Sequence, residues 1–199
     1  MTEHRSIGSY HHGDLRNALR QSAREILEGE GLAALSLRAV ARRVGVSHAA
    51  PYRHFPNHEA LLADLAVEGF SELREAIVGA AAAPGGQADK IAEIGAAYMR
   101  FAVRRPALAR LMFGSQMPNR SGFPLLGEVA EVIGVEIGKA LDDSVLGLAV
   151  WGAVHGLTML VLEDVIDLGQ RRAGSDVLPS RAEILLRSLI TLSAETRST

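Results

Sequence analysis

Residues 36–58 read SLRAVARRVGVSHAAPYRHFPNH, and the reading of this stretch decides the fold. Ser36 is placed to cap the free N–H groups of a helix, with Leu35 before it and Val40 after it as a hydrophobic staple. Leu37, Val40, Ala41 and Val44 recur at helical spacing and turn inward together, and Gly45 stops the helix. Ser47 caps a second helix of about two turns, because Pro56 cannot continue it and Phe55, preceding the proline, is biased out of the helical region. Two short helices joined by the tight turn Gly45-Val46 have the layout of a helix-turn-helix, whose second helix can enter a DNA major groove.

Charge separates this stretch from the rest of the chain. Between Gly31 and His58 there is no Asp or Glu, while Arg38, Arg42, Arg43 and Arg53 are all cationic. Residues 1–60 hold eight arginines and six acids, leaving thirteen of the 21 Lys and Arg and seventeen of the 23 acids to residues 61–199. A small basic module on an acidic body suits a nucleic-acid reader with a separate core. A solvated arginine-rich face is the bland alternative, and a two-helix turn also occurs in helical domains with no DNA role.

Outward from the turn, nearly every periodic segment reads as helix. Leu15, Ala18, Leu19, Ala23, Ile26 and Leu27 form one apolar stripe of a first helix near 14–30, with Asp14 as its cap, Gly31 as its stop, and Arg16, Arg20 and Arg24 turned away. Asn57 and Glu59 start a long helix through Ile77, broken by AAAPGGQ at 82–87. Further helices run through Ile91 to Phe101, over 107–113, from Pro124 to Leu141, from about Ser144 to near Leu168, and from Ser180 to about Ala194. No segment alternates as a strand. The fold class is therefore all-α: a three-helix N-terminal helix-turn-helix domain over 1–56, and a helical ligand-binding and dimerisation domain over 57–199.

The 199 residues, 48% hydrophobic and 22% charged, suffice for a buried core without staples. With no cysteine, thiol catalysis, Fe–S clusters and Cys-zinc sites are excluded. No metal site is expected: His54 and His58 are four apart, but Pro56 between them breaks the helix that would align them. No cofactor is expected, and no acid/base constellation follows residue 61, so the chain is not read as an enzyme. The start MTEHRSIGSYHHGD lacks the apolar core of a signal peptide, which predicts a cytoplasmic protein. The apolar run Leu146–Leu162 is marginal for spanning a membrane and suits a buried core or subunit interface better.

Residues 13–70, centred on LSLRAVARRVGVSHAAPYRHFPNHEALLADL, resemble the DNA-binding domain of the TetR family of bacterial transcriptional regulators. YHHGDLR at 10–16 and WGAVHG at 151–156 are similar to the branch with a WHG-type C-terminal domain. The resemblance implies a homodimeric repressor that leaves a pseudo-palindromic double-stranded DNA operator when a small-molecule effector binds. By matching positions it implies DNA contacts from Leu37, Arg38, Ser47, His48, Ala49, Ala50, Tyr52, Arg53, His54 and His58, with Tyr52 and His54 on phosphates. Two positions depart from the pattern: Pro51 has no N–H, so the first bond of the second helix is lost or that helix starts late, and Ala50 stands where a hydroxyl is common, which shifts base reading onto His48 and Arg53.

An apolar effector pocket is expected from Tyr98, Phe101, Met112, Phe113, Met117, Trp151, His155 and Met159, although plain core is the commoner use of each. His155 in particular fits a satisfied core histidine better than a ligand contact. Gly152 and Gly156, with Ala149 and Ala153, give one helix a face small enough to pair with its symmetry mate, beside the last helix with Ile184, Leu185, Leu189 and Leu192. The competing function is a helical small-molecule-binding protein or enzyme in which the helix-turn-helix is only structural.

Overall fold

The computed structural model describes residues 12–114 and 144–166, together with 135, 138 and 139. Among these, every regular element is helical: α1 (His12–Glu30), α2 (Leu37–Val44), α3 (His58–Ala81), α4 (Gln87–Arg104), α5 (Pro106–Phe113) and α6 (Ser144–Leu162), with 3-10 turns at Leu32–Ala34 and Pro51–Arg53. The all-α expectation holds. The expected helices at 124–141 and 180–194, including Ile184, Leu185, Leu189 and Leu192, and the pocket residue Met117 lie outside the described residues.

The chain divides into two compact units, Met1–Leu65 and Ala66–Thr199. In the first, Leu19, Ala23, Ile26 and Leu27 of α1, Leu37, Val40 and Ala41 of α2, Phe55, and Leu61, Leu62 and Leu65 of α3 are all buried. The stripe that marked α1 as amphipathic is the stripe that supplies this core. The helix begins at His12, two residues before the expected cap Asp14. Gly31 ends it at φ 84°, a left-handed conformation that glycine adopts without penalty.

In the second unit, Phe70, Leu73 and Ile77 of α3, Ile94, Tyr98 and Met99 of α4, and Leu108, Leu111 and Met112 of α5 are buried. Met99 packs on Val161, and Ala102 and Ala109 on Leu162, so α6 closes against α4 and α5. At Gly69 α3 comes close to α5: a Cβ there would lie 2.6 Å from Met112 Sδ and 3.1 Å from the Leu108 side chain, so these would have to shift.

The end of α6 differs from the sequence expectation, falling at Leu162 rather than near Leu168. Asp164 takes a left-handed φ of 56°, its N–H donates to Val161 O, and Val165 N–H donates to Leu160 O. That is the Schellman pattern of a helix stop, with Asp in the place glycine usually fills. Arg110 of α5 secures the stop, donating Nε to Glu163 Oε1 at 2.8 Å and Nη2 to the Leu162 carbonyl. Among the described residues no helix is long and apolar enough to cross a membrane.

Candidate nucleic-acid interface

The helix-turn-helix is built by local signals. Ser36 Oγ accepts the Ala39 N–H at 3.1 Å, and Leu35 and Val40 are both buried. Gly45, at φ 79°, donates its N–H to Ala41 and Arg42 carbonyls, and Val46 N–H returns to Ala41 O. This is a Schellman stop that turns the chain sharply after α2. Asn57 Oδ1 accepts the Ala60 N–H at 2.8 Å and so starts α3.

The segment between is shorter than the expected two-turn helix. It contains one 3-10 turn, Pro51–Arg53. Pro51 has no N–H to return to Ser47, and that carbonyl instead accepts Ala50 N–H at 3.0 Å. Arg53 and His54 N–H groups likewise bond three residues back, and only Phe55 N–H reaches four back, to Pro51 O. Pro51 and Phe55 are buried, so this turn is anchored at both ends while the residues between project outward.

Arg38, Ser47, His48, Ala49, Tyr52 and Arg53 are exposed, Tyr52 at 49%. Ala50, His54 and His58 are half-buried. His58 Nε2 is closed off from solvent without a hydrogen bond, so that nitrogen is not presented at the surface. Leu37 is placed otherwise than expected: it is buried, and its side chain belongs to the core beneath α2, as its place in the apolar stripe requires. Arg43 is drawn to α1, pairing with Glu30 at 2.8 Å and Glu25 at 3.7 Å.

Sequence reading missed what holds this surface in place. Arg16 and Arg20, taken as solvent-facing, both reach Asp64 on α3. Arg20 grips the carboxylate with Nε at 2.5 Å and Nη2 at 3.2 Å, and Arg16 Nη2 donates at 2.7 Å. Arg16 also lies over the Phe55 ring, 5.5 Å from its centroid. Burial alone would raise the Asp64 carboxyl, but the Arg20 and Arg16 guanidiniums outweigh it and hold it below the ordinary carboxylate range. The signal was present as two arginines four apart on one face of α1, and an aspartate inside the apolar run LLADL.

Of the expected effector residues, Tyr98, Phe101 and Met112 are buried, while Phe113, Trp151, His155 and Met159 are half-buried. Four rings cluster: Phe113 meets Phe70 edge-on at 5.2 Å and lies 4.7 Å from His155 and 6.0 Å from Tyr98. Tyr98 Oη and His155 Nδ1 are 2.8 Å apart. Burial pushes the Tyr98 phenol well above its ordinary value, opposed by a nearby Trp151 indole N–H whose geometry falls short of a full hydrogen bond. Burial also lowers the His155 imidazole. The phenol therefore stays protonated and donates to a neutral ring, and His155 is satisfied within the core.

Tyr98→Phe leaves a half-buried nitrogen unpaired and is expected to cost about 1–2 kcal/mol in urea unfolding. Because the folded state keeps His155 neutral, its contribution is complete above the unfolded value near 6.5 and is lost as pH falls through the lowered folded value. Thermal unfolding followed between about pH 8 and pH 5 should show that decline. A cavity of about 470 Å3 between α3 and α4 was not foreseen, and it shares only Phe101 with the expected pocket.

Comparison with known proteins finds similarity around the exposed turn. Residues 19–65 match the family model of the bacterial regulatory proteins, tetR family. The match covers the helix-turn-helix and its flanking helices and is a similarity of that stretch. The chain is 30% identical to HTH-type transcriptional regulator Rv1816 of Mycobacterium tuberculosis over 146 residues, and equally so to Mb1846 of Mycobacterium bovis. The alignment covers 69% of this chain, which spans 62% of the length of those curated relatives. A Rhodococcus protein of unknown function has 27% identity and a TM-score of 0.66, covering 94% of this chain and 95% of its own. A tetR-family regulatory protein from Rhodococcus RHA1 shares the fold with 18% identity and a TM-score of 0.67, covering 88% and 96%. The curated relatives carry the names of regulators, not of enzymes. The tetR-family segment contains the whole acid-free stretch and its exposed side chains.

Proposed function

We propose that this chain is a cytoplasmic, homodimeric transcriptional regulator, a repressor released from a pseudo-palindromic operator by a small molecule. The observation that carries the reading is the coincidence of the tetR-family match with the exposed Arg38, His48, Tyr52 and Arg53 on an acid-free stretch of the chain. Arg53 and His48 read base edges, while Tyr52, Ser47 and Arg38 take phosphate oxygens. The short 3-10 turn presents few side chains to the groove, so specificity rests on these two readers. DNA reading belongs to the unit that ends at Leu65, past the boundary expected at 56, with ligand binding and dimerisation beyond it.

Dimerisation is supported by one face of α6. Val145, Leu148, Ala149, Gly152, Ala153, Gly156 and Leu160 follow helical spacing and are all exposed in the single chain, Val145 at 78% and Leu148 at 62%. A contiguous apolar stripe of this kind needs a cover, and a two-fold copy of itself supplies one. The WGAVHG run on this helix is the reason for assigning the WHG-type branch. An effector entering among the half-buried Phe113, Trp151, His155 and Met159 would favour a subunit arrangement whose readers no longer fit both half-sites.

Binding to DNA tests the roles. Tyr52→Phe should weaken binding to all sequences alike, by about 1 kcal/mol, because a phosphate contact carries no sequence information. Arg53→Ala should cost about 1–3 kcal/mol and relax preference at a single base position. The reverse pattern, with Tyr52→Phe acting at one base only, contradicts the assignment.

A further inference from the structure

The two arginines in the last turn of α2 have different surroundings. Arg43 turns to α1, where Glu30 and Glu25 pair with it. Arg42 is exposed, and among the described residues its guanidinium has no hydrogen bond or ion pair. Arg38, one turn earlier, is likewise exposed and unpaired among the described residues. At about 100° per residue, Arg38 and Arg42 stand about 40° apart round the helix, on the flank away from Arg43. Leu37, Val40 and Ala41 occupy the buried side between the two flanks. The acids of α1 therefore compensate one flank of α2 and leave the other cationic.

The chemistry of that cationic flank narrows what it fits. The stretch from Gly31 to His58 holds no acid that could neutralise it locally. A guanidinium presents its N–H donors in a planar fork that matches phosphate oxygens two at a time. Residues four apart on a helix are separated by about 6 Å along its axis, so Arg38 and Arg42 offer two such forks in a row rather than one doubled site. A row of cations is complementary to a row of phosphates. The helix itself does not require Arg42: a cation in the last turn offsets the free carbonyls there, and Arg43 supplies one.

We propose that Arg42 is a further DNA-contacting residue, taking the phosphate next to the one held by Arg38 on the same strand and lengthening the footprint of α2 along the backbone. The inference rests on the DNA-reading role and adds to it a contact that carries no sequence information. The full chain is titrated with mixed-sequence duplex DNA about three helical turns long, over a series of salt concentrations. Arg42→Gln should lower the slope of log affinity against log salt by about 0.9 for each protomer bound, and weaken binding about fivefold on every sequence. Arg42→Lys keeps the charge and should restore the slope. Arg43→Gln removes a cation already engaged by Glu30 and Glu25 and should leave the slope unchanged. Thermal unfolding of Arg42→Gln should match the parent, because the side chain is exposed and unpaired. A parent chain that holds no duplex even at low salt overturns both readings. A parent that binds, with the slope unchanged in Arg42→Gln or lowered equally in Arg43→Gln, overturns this one alone. Loss of binding to polyglutamate with the DNA slope unchanged gives the flank to an acidic protein and overturns it as well.

Discussion

Asp64→Asn should destabilise the N-terminal unit by about 2–3 kcal/mol in urea titration, a large fraction of the stability of a small domain. The substitution keeps the shape of the side chain and removes the charge on which two guanidiniums converge. Arg20 loses a two-point grip on a carboxylate whose side chain is only 14% exposed, and breaking a charged pair that is largely withdrawn from water costs more than breaking one at the surface. Arg16, half exposed, contributes less directly, but its position over Phe55 depends on the same anchor. The expected secondary loss is in DNA affinity, because Phe55 ends the segment that carries Tyr52 and Arg53.

The pH dependence has a definite sign. A carboxyl held below its ordinary value contributes stability that is complete above about pH 3.9 and disappears as pH falls through the lowered folded value. The acid limb of the stability curve should therefore be shallower in Asp64→Asn than in the parent. A variant within about 0.5 kcal/mol of the parent, with the same acid limb, contradicts the anchoring role.

Gly152→Leu should convert the proposed dimer to a monomer and lower operator affinity by about a hundredfold or more, as two half-sites then have to be bound independently. At Gly152 a side chain would meet nothing within 4 Å in its own chain, so the protomer tolerates the leucine while close approach of a second α6 does not. Leu148→Glu, on the same exposed face, should act alike by placing a charge in the dimer seam. Light scattering coupled to size exclusion reads the first effect, and titration of an operator with one or two half-sites reads the second. A Gly152→Leu protein that remains dimeric places the interface elsewhere.

The features legible in the sequence were those made by neighbours along the chain. Ser36, Gly45 and Asn57 act on backbone groups within four residues of themselves, and each does in the structure what its residue type suggests. Local physics also misled where two rules competed. Pro51 was recognised as costing one bond, but with Pro56 following so soon only a 3-10 turn remains. At the end of α6, Asp164 carries a left-handed conformation for which the sequence offers no glycine. Leu37 was assigned outward by family position although its apolar spacing placed it inward, and burial follows the spacing.

Pairings across helices were not legible. The Arg16–Arg20–Asp64 anchor joins residues 44 and 48 positions apart, and the cavity beside Phe101 depends on how α3 and α4 are set against each other. Periodicity shows which face of a helix is apolar and leaves open which charged face meets which.

The most direct test of sequence-specific DNA reading is selection from random duplex DNA at a series of salt concentrations, with sequencing of the retained fraction. The account predicts an enriched palindrome whose half-sites lie one helical turn, about 34–36 Å, apart, and affinity that falls steeply and linearly on a logarithmic salt scale. Retention without any enriched sequence, or no retention even at low salt by protein freed of bound small molecules, contradicts it.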